Sequence, residues 1–91
     1  MTEFQKEVLD EFGVELTHRI DKNDKTELFQ VGYDGLRIRV ESLDECGEPA
    51  FLTVFRGNIR IFSNSGINPH YMEESLIGML RLIKYIKDIK D

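Results

Sequence analysis

The sequence predicts an α+β fold: a five-stranded, mainly antiparallel meander sheet flanked by a short N-terminal helix and a long C-terminal helix. Three observations predict it. Apolar residues recur about four apart at both ends of the chain, in Phe4, Val8 and Phe12 and again from Tyr71 to Ile89. Between those ends the period falls to two, as in VELTHRI and LRIRVE, and the period distinguishes a helix face from a pleated strand. Two glycine-bearing pairs, Asp34-Gly35 and Gly57-Asn58, sit between alternating runs, where a two-residue hairpin turn needs positive φ.

The first helix is read over residues 2–12. Thr2 is placed to cap it, the early glutamates suit the positive end of its dipole, and Gly13 offers the left-handed stop. A helix this short is marginal alone, so it must lie on something apolar. A strand over 14–20 then sets Val14, Leu16, His18 and Ile20 against Glu15, Thr17 and Arg19, and the polar run DKNDK ends it.

Strands 27–33 and 36–42 form the clearest hairpin. One face carries Phe29, Val31 and Tyr33 with Leu36, Ile38 and Val40; the other carries Gln30, Arg37, Arg39 and Glu41. After the polar connection SLDECGEP come strands 50–56 and 59–63, closed by the breaker NSG at Asn64 to Gly66. The last helix is read over 69–90, with Asn68 as N-cap and Pro69 in the first turn. Its length is about 33 Å at 1.5 Å per residue.

That helix is apolar over about half its circumference, through Tyr71, Met72, Leu76, Met79, Leu80, Leu82, Ile83, Ile86 and Ile89, with Ile77 and Tyr85 off the pattern. A helix lying on one sheet face needs a stripe only a little wider than about 100°. The surplus is expected to meet the N-terminal helix or a second copy of the chain. Gly78 lies inside the helix at a cost of about 1 kcal/mol relative to alanine, which suggests close packing.

The hairpin FLTVFRGNIRIFSN is greasy on both sides. Simple alternation puts Leu52, Val54, Ile59 and Ile61 on one side and Phe51, Phe55 and Phe62 on the other. The expectation is a pair of interior strands, one sheet face under the long helix and the other under the short one. The alternatives are an open aromatic interaction face or oligomer interface, and a nucleic-acid platform on which Arg37, Arg39, Arg56 and Arg60 hold the backbone beside sheet aromatics.

A chain of 91 residues with a formal charge of −5 is read as one globular domain. The charge is uneven: residues 1–48 carry thirteen acids against six bases, and residues 49–91 carry four against six. An acidic field favours basic partners and works against nucleic acid. No run is long enough to span a membrane, the N-terminal segment does not read as a secretion signal, and Cys46 is a lone cysteine, so a cytoplasmic place is expected.

The sequence carries no signal for a catalytic, cofactor or metal site. His18 and His70 are far apart without metal-ligand spacing, and His18 reads as a semi-buried histidine on the apolar side of its strand. Acidic neighbours disfavour a thiolate at Cys46. The function expected is therefore a small non-enzymatic protein-interaction module, by composition similar to phage or mobile-element accessory proteins and inhibitors. Its acidic face, Glu3, Glu7, Asp10 and Glu11 with Asp44, Glu45 and Glu48, would meet a basic partner. Self-association is expected through Met72, Met79, Leu82, Ile86 and Ile89 of the last helix or through Phe51, Phe55 and Phe62. The rival functions are nucleic-acid binding and a purely structural homo-oligomer.

Overall fold

In a computed structural model of the chain, residues 1–21, 23, 26–42 and 49–90 are described. Helix α1 spans Glu3–Phe12 and is closed at both ends by local chemistry. The Thr2 hydroxyl accepts from the Gln5 amide at 3.1 Å while the Gln5 side chain accepts from the Thr2 amide at 2.8 Å, a reciprocal box that satisfies two otherwise orphaned donors. Gly13 ends the helix at φ 70° and returns its amide to the Leu9 carbonyl. Gln5 also donates to the Leu16 carbonyl at 2.9 Å, tying α1 to the first strand.

The strands are β1 (Leu16–Asp21), β2 (Thr26–Tyr33), β3 (Leu36–Ser42), β4 (Ala50–Arg56) and β5 (Ile59–Ile67). They form one antiparallel meander in the order β1-β2-β3-β4-β5. Asp34 and Gly35 take φ of 53° and 75°, the paired left-handed conformation of a tight hairpin turn. At the β4–β5 turn only Gly57 has positive φ, 62°, as in the hairpin turn with glycine first. Beyond β5, the Asn68 side chain accepts from the His70 amide at 2.9 Å, and a single 3-10 turn, Pro69–Tyr71, leads into α2 (Met72–Lys90).

Both helices lie on the same sheet face, so the expected sandwich with one helix on each side is not what forms. Phe4 of α1 meets Phe29 of β2 edge-on at 5.5 Å, and Phe12 meets Tyr33 in the same way. Alongside, Met72, Leu76, Leu80 and Ile83 of α2 bury onto the centre of the sheet. Ile77, off the stripe when the helix is read against one surface, is 8% exposed because α2 also has a second neighbour, α1. The helices are fastened by a forked ion pair, Arg81 to both carboxylate oxygens of Glu11 at 2.9 and 3.0 Å. Lys84 adds a hydrogen bond to the Glu11 carbonyl at 3.5 Å and sits over the Phe12 ring, placing positive charge at the negative end of α1.

One cross-strand row shows how far this cover reaches. Leu16, Val31, Ile38, Val54 and Phe62 are successive partners from β1 to β5. Their exposures run 5, 2, 0 and 3%, then 45% at Phe62. The helices cover four strands and leave β5 exposed as far as Gly66, with only Ile67 at its end buried in the core.

Strand β5 also departs from simple alternation. The register slips by one between Val54 opposite Phe62 and Phe55 opposite Arg60, which makes Ile61 the extra residue of a bulge. The slip turns Phe62 to the helix side, away from Phe51 and Phe55, correcting the grouping of those three phenylalanines. A second slip between Ala50 and Leu52 lets β5 run through Asn64–Gly66 to Ile67, where a break was expected. The Asn64 side chain accepts from the Gly66 amide at 3.0 Å there, so the irregular turn supplies its own hydrogen bond.

Leu80 has no exposed surface and sits at the centre of the layer. Leu80→Ala should lower unfolding free energy by about 2–5 kcal/mol, read as a fall in the urea midpoint at unchanged slope. A loss below about 1 kcal/mol would mean that α2 does not seal the core.

Candidate functional site

Among the described residues, three surfaces remain once the core is closed. The first is an acidic ridge. At 100° per residue, Glu3, Glu7, Asp10 and Glu11 share one arc of α1, with Lys6 at its margin. The seam with α2 adds Glu73 and Glu74, which line a shallow groove with Phe4, Glu7 and Ile77. Sequence reading assigned the α1 acids to one face and missed the α2 pair, whose place depends on how the helices dock. Their signal was present as two adjacent acids in the first turn of the last helix.

The ridge is electrostatically uneven. Glu11 is drawn below the ordinary carboxylate range by its hydrogen bonds from Arg81, and the same contact raises Arg81. Glu73 is raised by partial desolvation, then by the charges of Glu74, Glu27 and Glu7. Like charges have therefore been gathered at this seam, and His18 offsets them only in part. Asp44, Glu45 and Glu48, expected on the same acidic face, and Cys46 lie outside the described residues.

The second surface is the sheet face opposite the helices. Its cross-strand rows are Arg19, Leu28, Glu41 and Phe51; Thr17, Gln30, Arg39, Thr53 and Ser63; and Gly32, Arg37, Phe55 and Arg60. Arg37 stacks on the Phe55 ring at 4.6 Å, a cation–π contact that also shields the ring. Arg39 pairs with Glu41 at 3.1 Å, while its buried Nε has no hydrogen-bond partner among the described residues. Phe51 and Phe55 are half-buried by such neighbours. Of the four arginines proposed for nucleic acid, Arg37, Arg39 and Arg60 share this face. Arg56 does not: it pairs with Ile59 on the helix side.

The third surface is a trough between the outer side of α2 and β5. Leu36, Ile61, Ile83 and Ile86 line it together with Arg56, Lys87 and Lys90, and Asp34 and Gly35 of the hairpin turn border it as well. Leu82, Ile86 and Ile89 are exposed, as expected of an apolar interface, and Met79 is half-buried. Met72 is core instead, 2% exposed, because the start of α2 faces the sheet squarely. Tyr71, read as part of the stripe, and Tyr85, read as off it, are both exposed as well.

Among the described residues no group of three or more His, Cys, Asp or Glu side chains is placed to hold a metal ion. His18 stacks on Phe29 at 4.4 Å and contacts Glu27 at 3.0 Å, a partly buried structural position. Among the described residues no helix is long and apolar enough to cross a membrane. No protein-family model, curated protein or solved structure matches the chain.

The opposite pKa directions of Glu73 and Glu11 give opposite pH behaviour. The raised Glu73 costs stability when ionised and stops doing so as pH falls below its folded pKa. Glu73→Gln should therefore raise the urea midpoint at pH 7, and the advantage should vanish toward pH values below the ordinary 4.5. The depressed Glu11 contributes stability above its ordinary pKa, so Glu11→Gln should lower the midpoint at pH 7 and converge with the parent in acid. Parallel curves for either variant across that range would contradict the assignment.

Proposed function

We propose that the chain is a non-enzymatic protein-interaction module whose acidic ridge docks against a basic surface of another protein. The observation that carries the reading is the convergence of α1 and α2 carboxylates on one seam, where desolvation and then the neighbouring carboxylates raise the proton affinity of Glu73. A cationic partner relieves that repulsion, so binding recovers free energy that the free protein forgoes. The ridge stands on two helices already locked by Arg81 and Glu11, so little ordering cost attends docking. Rim ion pairs contribute only about 0.2–1 kcal/mol each, but a field of one sign accelerates encounter and selects the partner's sign. An inhibitor that fills a basic nucleic-acid groove is the sharpest form of this reading.

Fluorescence anisotropy with a labelled oligolysine peptide tests it. Binding should weaken steeply with salt and fall at least tenfold in a Glu7→Lys, Glu74→Lys double variant, about 1.4 kcal/mol or more. Binding indifferent to both salt and the reversals would sink the proposal.

Nucleic-acid binding on the helix-free sheet face is the second reading, favoured by Arg37 on Phe55 with Arg60 paired across the same ring position. It predicts that a short single-stranded oligonucleotide binds with a pronounced salt slope and that Phe55→Ala weakens it. An oligonucleotide that stays free at low salt removes this reading and leaves the first intact.

A further inference from the structure

We propose that the trough between α2 and β5 binds a free single-chain amphiphile, an anionic head group carried on an unbranched aliphatic tail. The pattern of α2 is the first reason. The spacing of four and three that seats Leu76, Leu80 and Ile83 on the sheet continues at Lys87 and Lys90. On a helix made only to cover a core those positions would be apolar. Here the sheet-facing stripe turns cationic near the Asp34-Gly35 turn, and both lysines line the trough. Lys87 Nζ stands 5.6 Å from the centre of the Tyr33 ring, so its charge is directed to the sheet side of the helix.

Arg56 brings a third cation from a different element. The negative end of the α2 dipole suits a lysine in its last turn, but Arg56 comes from the end of β4, so the dipole does not account for it. Among the described residues none of the three is ion-paired with a carboxylate. Against three cations the described lining holds one acid, Asp34. The trough is thus locally positive in a chain whose formal charge is −5, and a local excess of one sign draws a ligand of the other.

The rest of the lining selects the tail. Leu36, Ile61, Ile83 and Ile86 offer aliphatic side chains with no polar group. The cavity measures about 480 Å³, within the range of about 300–1,000 Å³ that small ligands occupy. A protein partner takes about 800 Å² from each side of a standard interface, more than this trough offers, whereas a single chain of methylene groups matches it. Apolar walls with a few charged groups at hand are the ordinary composition of a ligand site.

An NMR titration of the isotope-labelled whole chain with decanoate, kept below its micelle concentration, tests the proposal. One decanoate should bind per chain, with saturable shifts at Leu36, Ile61, Ile83 and Ile86. Decyltrimethylammonium, the same tail under a cationic head, should leave those signals in place. A Lys87→Gln, Lys90→Gln double variant should weaken decanoate about tenfold or more, and Arg56→Gln should weaken it in the same direction. Glutamine keeps the helix propensity of lysine, and unliganded spectra that overlay the parent's away from the changed residues control for folding. Shifts that never saturate, equal binding of the cationic amphiphile, or parent affinity in both variants would each overturn the inference. Binding to anionic lipid vesicles without binding of dispersed decanoate would overturn it too, assigning the cations to a membrane surface. The inference does not rest on the acidic ridge, whose oligolysine binding the double variant should leave unchanged.

Discussion

Two helices cannot roof five strands, and most of what this molecule offers its surroundings follows from that mismatch. Strands sit about 4.8 Å apart and packed helices about 8–10 Å apart, so a pair of helices spans about four strands. The core is consequently one layer deep, bounded below by the sheet and closed at one side by α1 over β1 and β2. Because α1 and α2 share a face, the reverse of the sheet keeps side chains that are amphipathic rather than greasy, and the last strand, apart from Ile67 at its end, is left outside the roof.

Sharing a face also brings the helices into contact, and that contact sorts the charges. Arg81 and Lys84 converge on Glu11 at the far end of α1, whereas at the start of α2 the carboxylates of Glu73, Glu74 and Glu7 lie close to one another. The same seam therefore has a stabilising end and a repulsive end. Stability and interaction are separated along its length by about two helical turns, from Glu73 to Arg81.

Features set by a few neighbouring residues were legible in the sequence. The Thr2 cap, the Gly13 stop, the Asp34-Gly35 turn and the Asn68-Pro69 start are local and need no knowledge of the rest of the chain. The meander followed from short connections between alternating runs. What could not be read was non-local. Which face each helix covers depends on how the segments after Gly13 and Ile67 swing across the sheet, and period does not record that. Ile77 looked misplaced because one stripe was sought on a helix that touches two surfaces. Glu73 and Glu74 joined the ridge, and Met72 left the candidate interface, for the same reason. The slip at Ile61 was invisible because Ile61 and Phe62 are both apolar, so an inserted residue leaves no mark in a hydropathy pattern.

The bulge at Ile61 gives β5 a joint between two independent phases. Residues from Phe62 onward take their facing from the inner part of β4, while Ile59 and Arg60 take theirs from the Gly57 turn. An insertion or deletion of one residue near the tip can be absorbed at this joint, whereas the same change within β2 or β3 would turn core side chains into water. The outer corner of the sheet can thus change its length and chemistry without turning the side chains of the roofed part.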